Sequence, residues 1–210
     1  MILRMTAACL LAVVAAGTSN AAPTYYVGLQ GGYDWSESDV TIPNYPANFD
    51  LDTDGFVGGL FAGVSFPVGG AWSLGVEGDV NWTDGDGSNN SDPTNPGNTE
   101  IYVIEKNWNG SLRGRIGYAC GKTQFFGTLG WVWAEAESFY IPGGNPKPTA
   151  NVDGVSTGLG VEHDYEGGWF ARAEYRYSDT DEDTVVHGGP SSYDLDSHTL
   201  LLGAGYKFGG

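Results

Sequence analysis

Apolar and polar residues alternate along eight segments of the chain. In the clearest one, residues 108–118, every second residue is apolar or glycine, and the residues between them include Asn109, Arg113 and Arg115. Because successive side chains of a strand point to opposite faces, this pattern predicts a β-strand with one apolar and one polar face. The other segments are 25–35, 56–66, 72–82, 124–133, 155–162, 169–177 and 199–208. The chain is therefore predicted to be all-β.

The connections between these segments alternate between long and short. The long ones are 36–54, 83–106, 136–152 and 178–196, and the short ones are 67–71, 119–122 and 164–168. Outer-membrane barrels have an even number of antiparallel strands, with short periplasmic turns and longer external connections. A soluble sandwich has no reason to produce this order. The pattern predicts an eight-stranded antiparallel up-and-down transmembrane β-barrel with four external loops.

Aromatic residues that share the apolar face of the predicted strands lie near both strand ends. Those near the long connections are Trp35, Trp82, Trp108, Trp131, Trp133 and Tyr177. Those near the short turns are Tyr25, Phe66, Trp72, Tyr118, Phe125, Trp169 and Phe208. Trp and Tyr are enriched at membrane–water interfaces. The two aromatic rims therefore predict that the apolar faces point outward to lipid and the polar faces inward to the lumen.

The N-terminal residues are typical of a secretory signal peptide. Arg4 precedes an apolar run, residues 7–16, and small residues surround Ala21. We predict a signal peptide over residues 1–21 and a barrel domain over 22–210. The apolar run is too short for a transmembrane helix, and no later stretch approaches the roughly 20 apolar residues that one needs. Cys120 is the only cysteine after residue 21, so no internal disulfide is expected.

Four short motifs carry a family resemblance: GVEGD at 75–79, GSLRGRIGY at 110–118, AEYRY at 173–177 and GYKF at 205–208. With these motifs the chain resembles the eight-stranded outer-membrane barrels of the OmpA and OmpX type, and more closely the porin-like outer-membrane protein group. The resemblance implies a place in the Gram-negative outer membrane, contact with lipid and lipopolysaccharide, and insertion by the barrel-assembly machinery. That machinery reads a terminal aromatic residue, whereas here Gly209 and Gly210 follow Phe208.

Nine charged residues have the parity that faces the predicted lumen. They are Glu77, Asp79, Arg113, Arg115, Glu162, Arg172, Glu174, Arg176 and Lys207. The interior of an eight-stranded barrel is about filled by side chains, and buried charges persist when they are paired. We therefore predict one ion-pair network that plugs the barrel. The alternative is a charged lining that gives a narrow pore its selectivity.

Most other acidic residues lie in the long connections, and the chain carries a net charge of −17. This charge argues against a nucleic-acid partner. Residues 50–55 copy the first half of a calcium loop, but Phe61 occupies the position of the required bidentate Glu. No dedicated metal or cofactor site is therefore expected. The loop carboxylates would instead attract divalent ions loosely, supplied by lipopolysaccharide.

The histidines give little support for an enzyme. His163 lies at a short turn and His187 in a glycine-rich loop tip, so His198 is the one candidate for a catalytic base. Its neighbour Ser197 would point to the opposite face of the strand. The sequence thus predicts a non-enzymatic structural barrel that anchors four acidic loops, for envelope integrity or surface interaction. A narrow diffusion channel and a surface adhesin or receptor are the alternatives.

Overall fold

The computed structural model describes residues 22–41, 49–89, 102–140, 150–186 and 189–210, so the predicted signal peptide lies outside the described residues. The strands are β1 (Thr24–Thr41), β2 (Phe49–Gly69), β3 (Trp72–Asn89), β4 (Tyr102–Cys120), β5 (Thr123–Tyr140), β6 (Ala150–Asp164), β7 (Trp169–Val186) and β8 (Gly189–Phe208). A short 3-10 helix, Glu166–Gly168, precedes β7. No helix in these ranges is long and apolar enough to cross a membrane.

Each strand pairs antiparallel with the next one, and β8 pairs with β1 to close the barrel. All eight predicted strands and the up-and-down order are confirmed. The turns at the end that the sequence assigns to the periplasm are tighter than predicted, since two residues connect β2 to β3 and two connect β4 to β5. Gly70 and Gly121 have φ of 58° and 65° in these turns, a conformation that glycine adopts without a steric penalty.

The two faces of the barrel follow the predicted parity. All seven Trp side chains are on the outside, with exposed fractions between 38% and 59%. Residues of the opposite parity, such as Tyr26, Phe61 and Arg113, are at most 2% exposed. The lipid-facing part of β1, from Tyr25 to Trp35, is about 33 Å long at about 3.3 Å per residue, and a tilt of about 40° brings it to the height of an apolar band.

The prediction of long external loops is wrong in its boundaries. β1 continues to Thr41 and β2 begins at Phe49, while β7 and β8 are paired as far as Val186 and Gly189. Most of the residues that the sequence predicts to be in loops therefore belong to strands, which extend beyond the outer aromatic rim. The reason is physical: outside the bilayer both faces of a strand meet water, so the apolar alternation ends while the backbone ladder continues.

Candidate functional site

The nine charged residues predicted for the lumen meet in one network inside the barrel. They come from β3, β4, β6, β7 and β8. All of their side chains are at most 6% exposed, apart from that of Lys207, which is 22% exposed. Buried charges of this kind are stable only with close partners.

Arg113 on β4 is the centre of the network. Its Nη2 atom donates to Glu77 Oε1 at 2.9 Å and to Asp79 Oδ2 at 2.8 Å. Its Nη1 atom donates to Glu174 on β7 and to the Thr128 hydroxyl, the latter at 3.0 Å. One guanidinium therefore connects two carboxylates of β3 with one carboxylate of β7.

Two arginines of β7 cross the lumen to β3. Arg172 Nη1 donates to Glu77 Oε2 at 2.8 Å, and Arg176 Nη1 donates to Asp79 Oδ1 at 3.1 Å. In a closed barrel of eight strands β3 and β7 lie on opposite walls. These ion pairs tie the two walls together and occupy the space between them, because the interior of such a barrel is only about as wide as its side chains.

The network continues toward the periplasmic end. Arg115 Nη2 donates to Glu162 Oε2 at 2.9 Å, and Lys207 Nζ lies 2.6 Å from both Glu162 Oε1 and Asp164 Oδ1. Asp164 was predicted to lie in a turn, but it ends β6 and joins the site. With it the network contains five cationic and five anionic side chains, so its formal charges cancel.

Aromatic side chains complete the lumen, and sequence reasoning did not assign them to the site. Tyr26, Phe61, Phe126 and Phe170 are each at most 4% exposed. The Arg172 guanidinium lies 3.5 Å from the centre of the Phe61 ring and that of Arg115 lies 4.1 Å from Phe126. Such contacts stabilise a cation that has left water. The sequence contains a sign of this packing, because these aromatic residues occupy positions that alternate with the lipid-facing residues and therefore point into the lumen.

Glycines opposite these rings provide the space for them. In the strand register the pairs are Tyr26–Gly63, Phe61–Gly28, Phe126–Gly160 and Phe170–Gly205. A Cβ atom at Gly160 would lie 2.3 Å from Phe126 Cζ, and one at Gly28 would lie 2.3 Å from Phe61 Cζ. A side chain at these positions would collide with the ring. The chain has 34 glycines among its 210 residues, and these four make room for large side chains in the lumen.

At the periplasmic mouth the lumen contains a cavity of about 290 Å³. Its lining includes Ser73 and Gln124, and Arg115 and Glu162 of the network reach it as well. Gln124 donates to Ser73 Oγ at 3.1 Å and accepts from Arg115 at 3.0 Å. Charged side chains of the network therefore form part of the cavity wall.

On the outside, three external hairpins carry the same hydrogen bond at the level of the outer aromatic rim. In each hairpin the N–H or O–H of an aromatic side chain donates to an aspartate on the neighbouring strand. That aspartate lies two residues farther from the membrane than the residue paired with the aromatic one. The pairs are Tyr33–Asp54, Trp131–Asp153 and Tyr177–Asp196. These bonds join the lipid-facing aromatic rim to the first carboxylates above it.

We expect Tyr177→Phe to lower the free energy of unfolding by about 1 kcal/mol, because the Asp196 carboxylate loses the hydroxyl that lies 2.7 Å from it. Reversible urea unfolding in lipid vesicles measures the change. Tyr118→Phe is the matched control, since Tyr118 faces lipid at the other rim and its hydroxyl has no hydrogen bond among the described residues. Equal losses in the two variants would contradict a role for the Asp196 bond.

Above this level the register aligns acidic residues across four strands, β7, β8, β1 and β2. One row is Asp179–Asp196–Glu37–Asp52, and the next row outward is Asp181–Asp194–Asp39–Asp50. Like charges directly opposite each other destabilise a sheet. The backbone ladder holds these rows in register nonetheless, so the external sheet has a concentrated negative charge.

Within the described part of the chain, His198 contacts aromatic side chains. Its Nδ1 atom is 2.7 Å from the Tyr175 hydroxyl on the outside of the barrel, whereas Ser197 Oγ donates to Asp34 at 2.5 Å. The two neighbours thus face opposite ways. Within the described ranges there is no cluster of His, Cys, Asp or Glu suited to a metal ion. Residues 50–55 lie in β2 and do not form the turn of a calcium loop, and His187 lies outside the described residues.

Comparison with known proteins agrees with this architecture. Over 200 residues the chain is 25% identical to a 31 kDa outer-membrane immunogenic protein of Brucella melitensis, covering 87% of this chain and 82% of the relative. It is 29% identical over 160 residues to a 22 kDa outer membrane protein of Rhizobium leguminosarum, covering 76% and 69%. Among solved structures, the outer membrane protein OprG of Pseudomonas aeruginosa is similar in fold, with a TM-score of 0.50, 14% identity and coverage of 92% and 99%.

The family model of the outer membrane protein β-barrel domain matches residues 5–208, nearly the whole chain. The predicted outer-membrane location is confirmed by this match and by the names of the relatives. The protein therefore belongs to the family of outer membrane protein β-barrel domains.

Proposed function

We propose that this outer-membrane barrel is a closed anchor, and that its role lies in contacts made by the acidic strands it holds above the outer surface. The observation that carries the proposal is the ion-pair network that crosses the lumen from β7 to β3 through Arg172 and Arg176. A network with cancelling charges and stacked aromatic rings leaves little cross-section for a solute. Residues positioned by a rigid scaffold are where recognition usually occurs.

The proposal assigns no catalysis to the barrel and includes a passive contribution to envelope integrity. The external strands are acidic, and divalent ions held by lipopolysaccharide would bridge them to the neighbouring lipid. The competing account is a narrow channel, which differs from a closed anchor in that the purified protein would conduct ions.

We expect the refolded protein to give no discrete current steps in a planar bilayer at high salt, since Arg113, Arg172 and Arg176 hold the lumen closed. Single-channel recording measures this. A variant with Arg113→Ala, tested in parallel, shows whether loss of the network opens a path. A stable conductance of the unaltered protein, with the ion selectivity of a charged lining, would favour the channel.

The surface role is tested by trimming the external strands at positions that the register defines. Ser36 lies opposite Thr53 and Thr180 lies opposite Leu195, so residues 37–52 and 181–194 are each replaced by Asn-Gly, which favours a two-residue hairpin turn. Cells with the trimmed barrel are compared with unaltered and deleted strains for adhesion to matrix-coated surfaces and for dye permeability. We expect lost adhesion with normal permeability. Unchanged adhesion with increased permeability would support the integrity role alone.

A further inference from the structure

The eight strands separate into two sheets above the outer aromatic rim. Pairing between β2 and β3 ends at Phe56 and Asp84, although β2 continues to Phe49 on β1. Pairing between β6 and β7 ends at Asp153 and Asp181, although β7 continues on β8. In the described part of the chain, β7, β8, β1 and β2 therefore form one raised sheet, and β3, β4, β5 and β6 form the other.

This separation leaves strand edges that have no partner among the described residues. Among the described residues the longest such edge is the outer part of β2, Phe49–Gly55, which pairs with β1 on one side and with no described strand on the other. On its unpaired side, an edge of seven residues has backbone N–H and C=O groups without a described partner strand, and such an edge is a template on which another extended chain can pair. We refer to Phe49–Gly55 as the β2 edge.

The sequence of the β2 edge lacks several devices that protect an edge from pairing. It contains no proline and no lysine, and the register shows no bulge between β1 and β2 over these residues. Its apolar and polar residues alternate, with Phe49 and Leu51 on one parity and Asp50, Asp52 and Asp54 on the other. Such an edge is suited to a partner strand that also alternates.

Charge selects the kind of partner. The β2 edge carries three aspartates, and its neighbour β1 adds Glu37 and Asp39 opposite them in the register. Residues 85–89 of β3, which pair with β4 but not with β2, contain Asp86 and no cationic residue. A second copy of this acidic edge would be repelled, whereas a strand with lysine or arginine at every second position would be attracted.

We propose that the β2 edge binds an extended, cationic segment of another protein as an added β-strand. Backbone hydrogen bonds to β2 supply the affinity, and the aspartates of the sheet select a partner strand with basic residues on the matching face. This inference rests on the proposed function, because it takes the external strands as the contact surface. It adds the mode of binding and the chemistry of the partner.

The test uses the full-length protein in nanodiscs and a fluorescent peptide of four Arg-Val repeats. Two control peptides have the same charge but carry N-methyl groups on alternate residues. In an extended strand, the methyl groups block the backbone N–H groups of one edge in the first control peptide and those of the other edge in the second. We expect the parent peptide to bind. We also expect one methylated peptide to bind about tenfold or more weakly, since tenfold corresponds to only about 1.4 kcal/mol and several backbone bonds are blocked.

Proline variants of the protein locate the site. Leu51→Pro and Asp52→Pro each remove one N–H, and because adjacent N–H groups of a strand point to opposite sides, one variant alters the free edge and the other alters the ladder with β1. Gel mobility of the folded barrel identifies the variant that folds normally. We expect that variant to lose peptide binding while keeping its fold, whereas normal binding by it would place the peptide elsewhere and overturn the proposal.

Equal binding of all three peptides would show electrostatic adsorption without strand pairing, and it would overturn the proposal. Absence of binding, or salt-resistant cross-linking of two barrels through β2, would do the same. These outcomes are distinct from failure of the proposed function. If trimming 37–52 and 181–194 abolishes adhesion while no peptide binds, the external strands act by another mode, and only the inference drawn from the β2 edge is lost.

Discussion

Replacing Arg113 with alanine is expected to lower the free energy of unfolding by about 3–5 kcal/mol. Arg113 is completely buried, and its two Nη atoms contact Glu77, Asp79 and Glu174. Removal of the guanidinium leaves these carboxylates close together with fewer cationic partners, in a space from which water is largely excluded. Urea unfolding of the refolded barrel in vesicles gives the change in free energy.

Two further variants separate the role of charge from that of geometry. Arg113→Lys keeps the charge but replaces the forked guanidinium by a single ammonium group, so we expect a smaller loss than with alanine. Asp179→Asn is the exposed control, and removal of that charge is expected to change stability by at most about 1 kcal/mol. If Arg113→Ala and Asp179→Asn have similar effects, the lumen charges are solvated, and the channel account becomes the stronger one.

The membrane-embedded part of the fold could be predicted because its signal is local. A lipid-facing residue such as Leu112 and a lumen-facing residue such as Arg113 are adjacent in sequence, and their chemistry alone assigns the two faces. The composition of the lumen site follows from the same rule. The particular partners could not be predicted, because contacts such as Arg172 with Glu77 join residues 95 positions apart on opposite walls.

The external strands and the lumen aromatics could not be predicted, for different reasons. Above the bilayer both faces of β1 meet water, so acidic residues such as Glu37 and Asp39 resemble a loop even though they pair with β2 and β8. In the lumen, Phe126 breaks the expected polarity because a ring can stack on the Arg115 guanidinium. Its place depends on the glycine opposite it, a feature of the register and not of the local sequence.

Because the Phe126 ring depends on the space at Gly160, a substitution of this glycine is expected to have the second large effect on stability. Gly160→Ala is expected to lower the free energy of unfolding by about 1–3 kcal/mol, the cost of overpacking a filled interior. The added Cβ would lie 2.3 Å from Phe126 Cζ and 2.6 Å from the Ala173 carbonyl oxygen. The ring is also held by Arg115, so it cannot move away without disturbing the network. Urea unfolding in vesicles measures this loss as well.

Gly58→Ala is the matched control, because a Cβ at Gly58 would have no atom within 4 Å and Gly58 lies on the lipid face. Its effect is expected to stay within about 0.5 kcal/mol. A double variant with Phe126→Leu tests the cause directly. Since the leucine lacks the far end of the ring, we expect the double variant to lose less stability than the sum of its two single changes, with the remaining loss due to the Ala173 carbonyl. Strict additivity would mean that Phe126 does not occupy the space left by Gly160, and the lumen would have to be filled in another way.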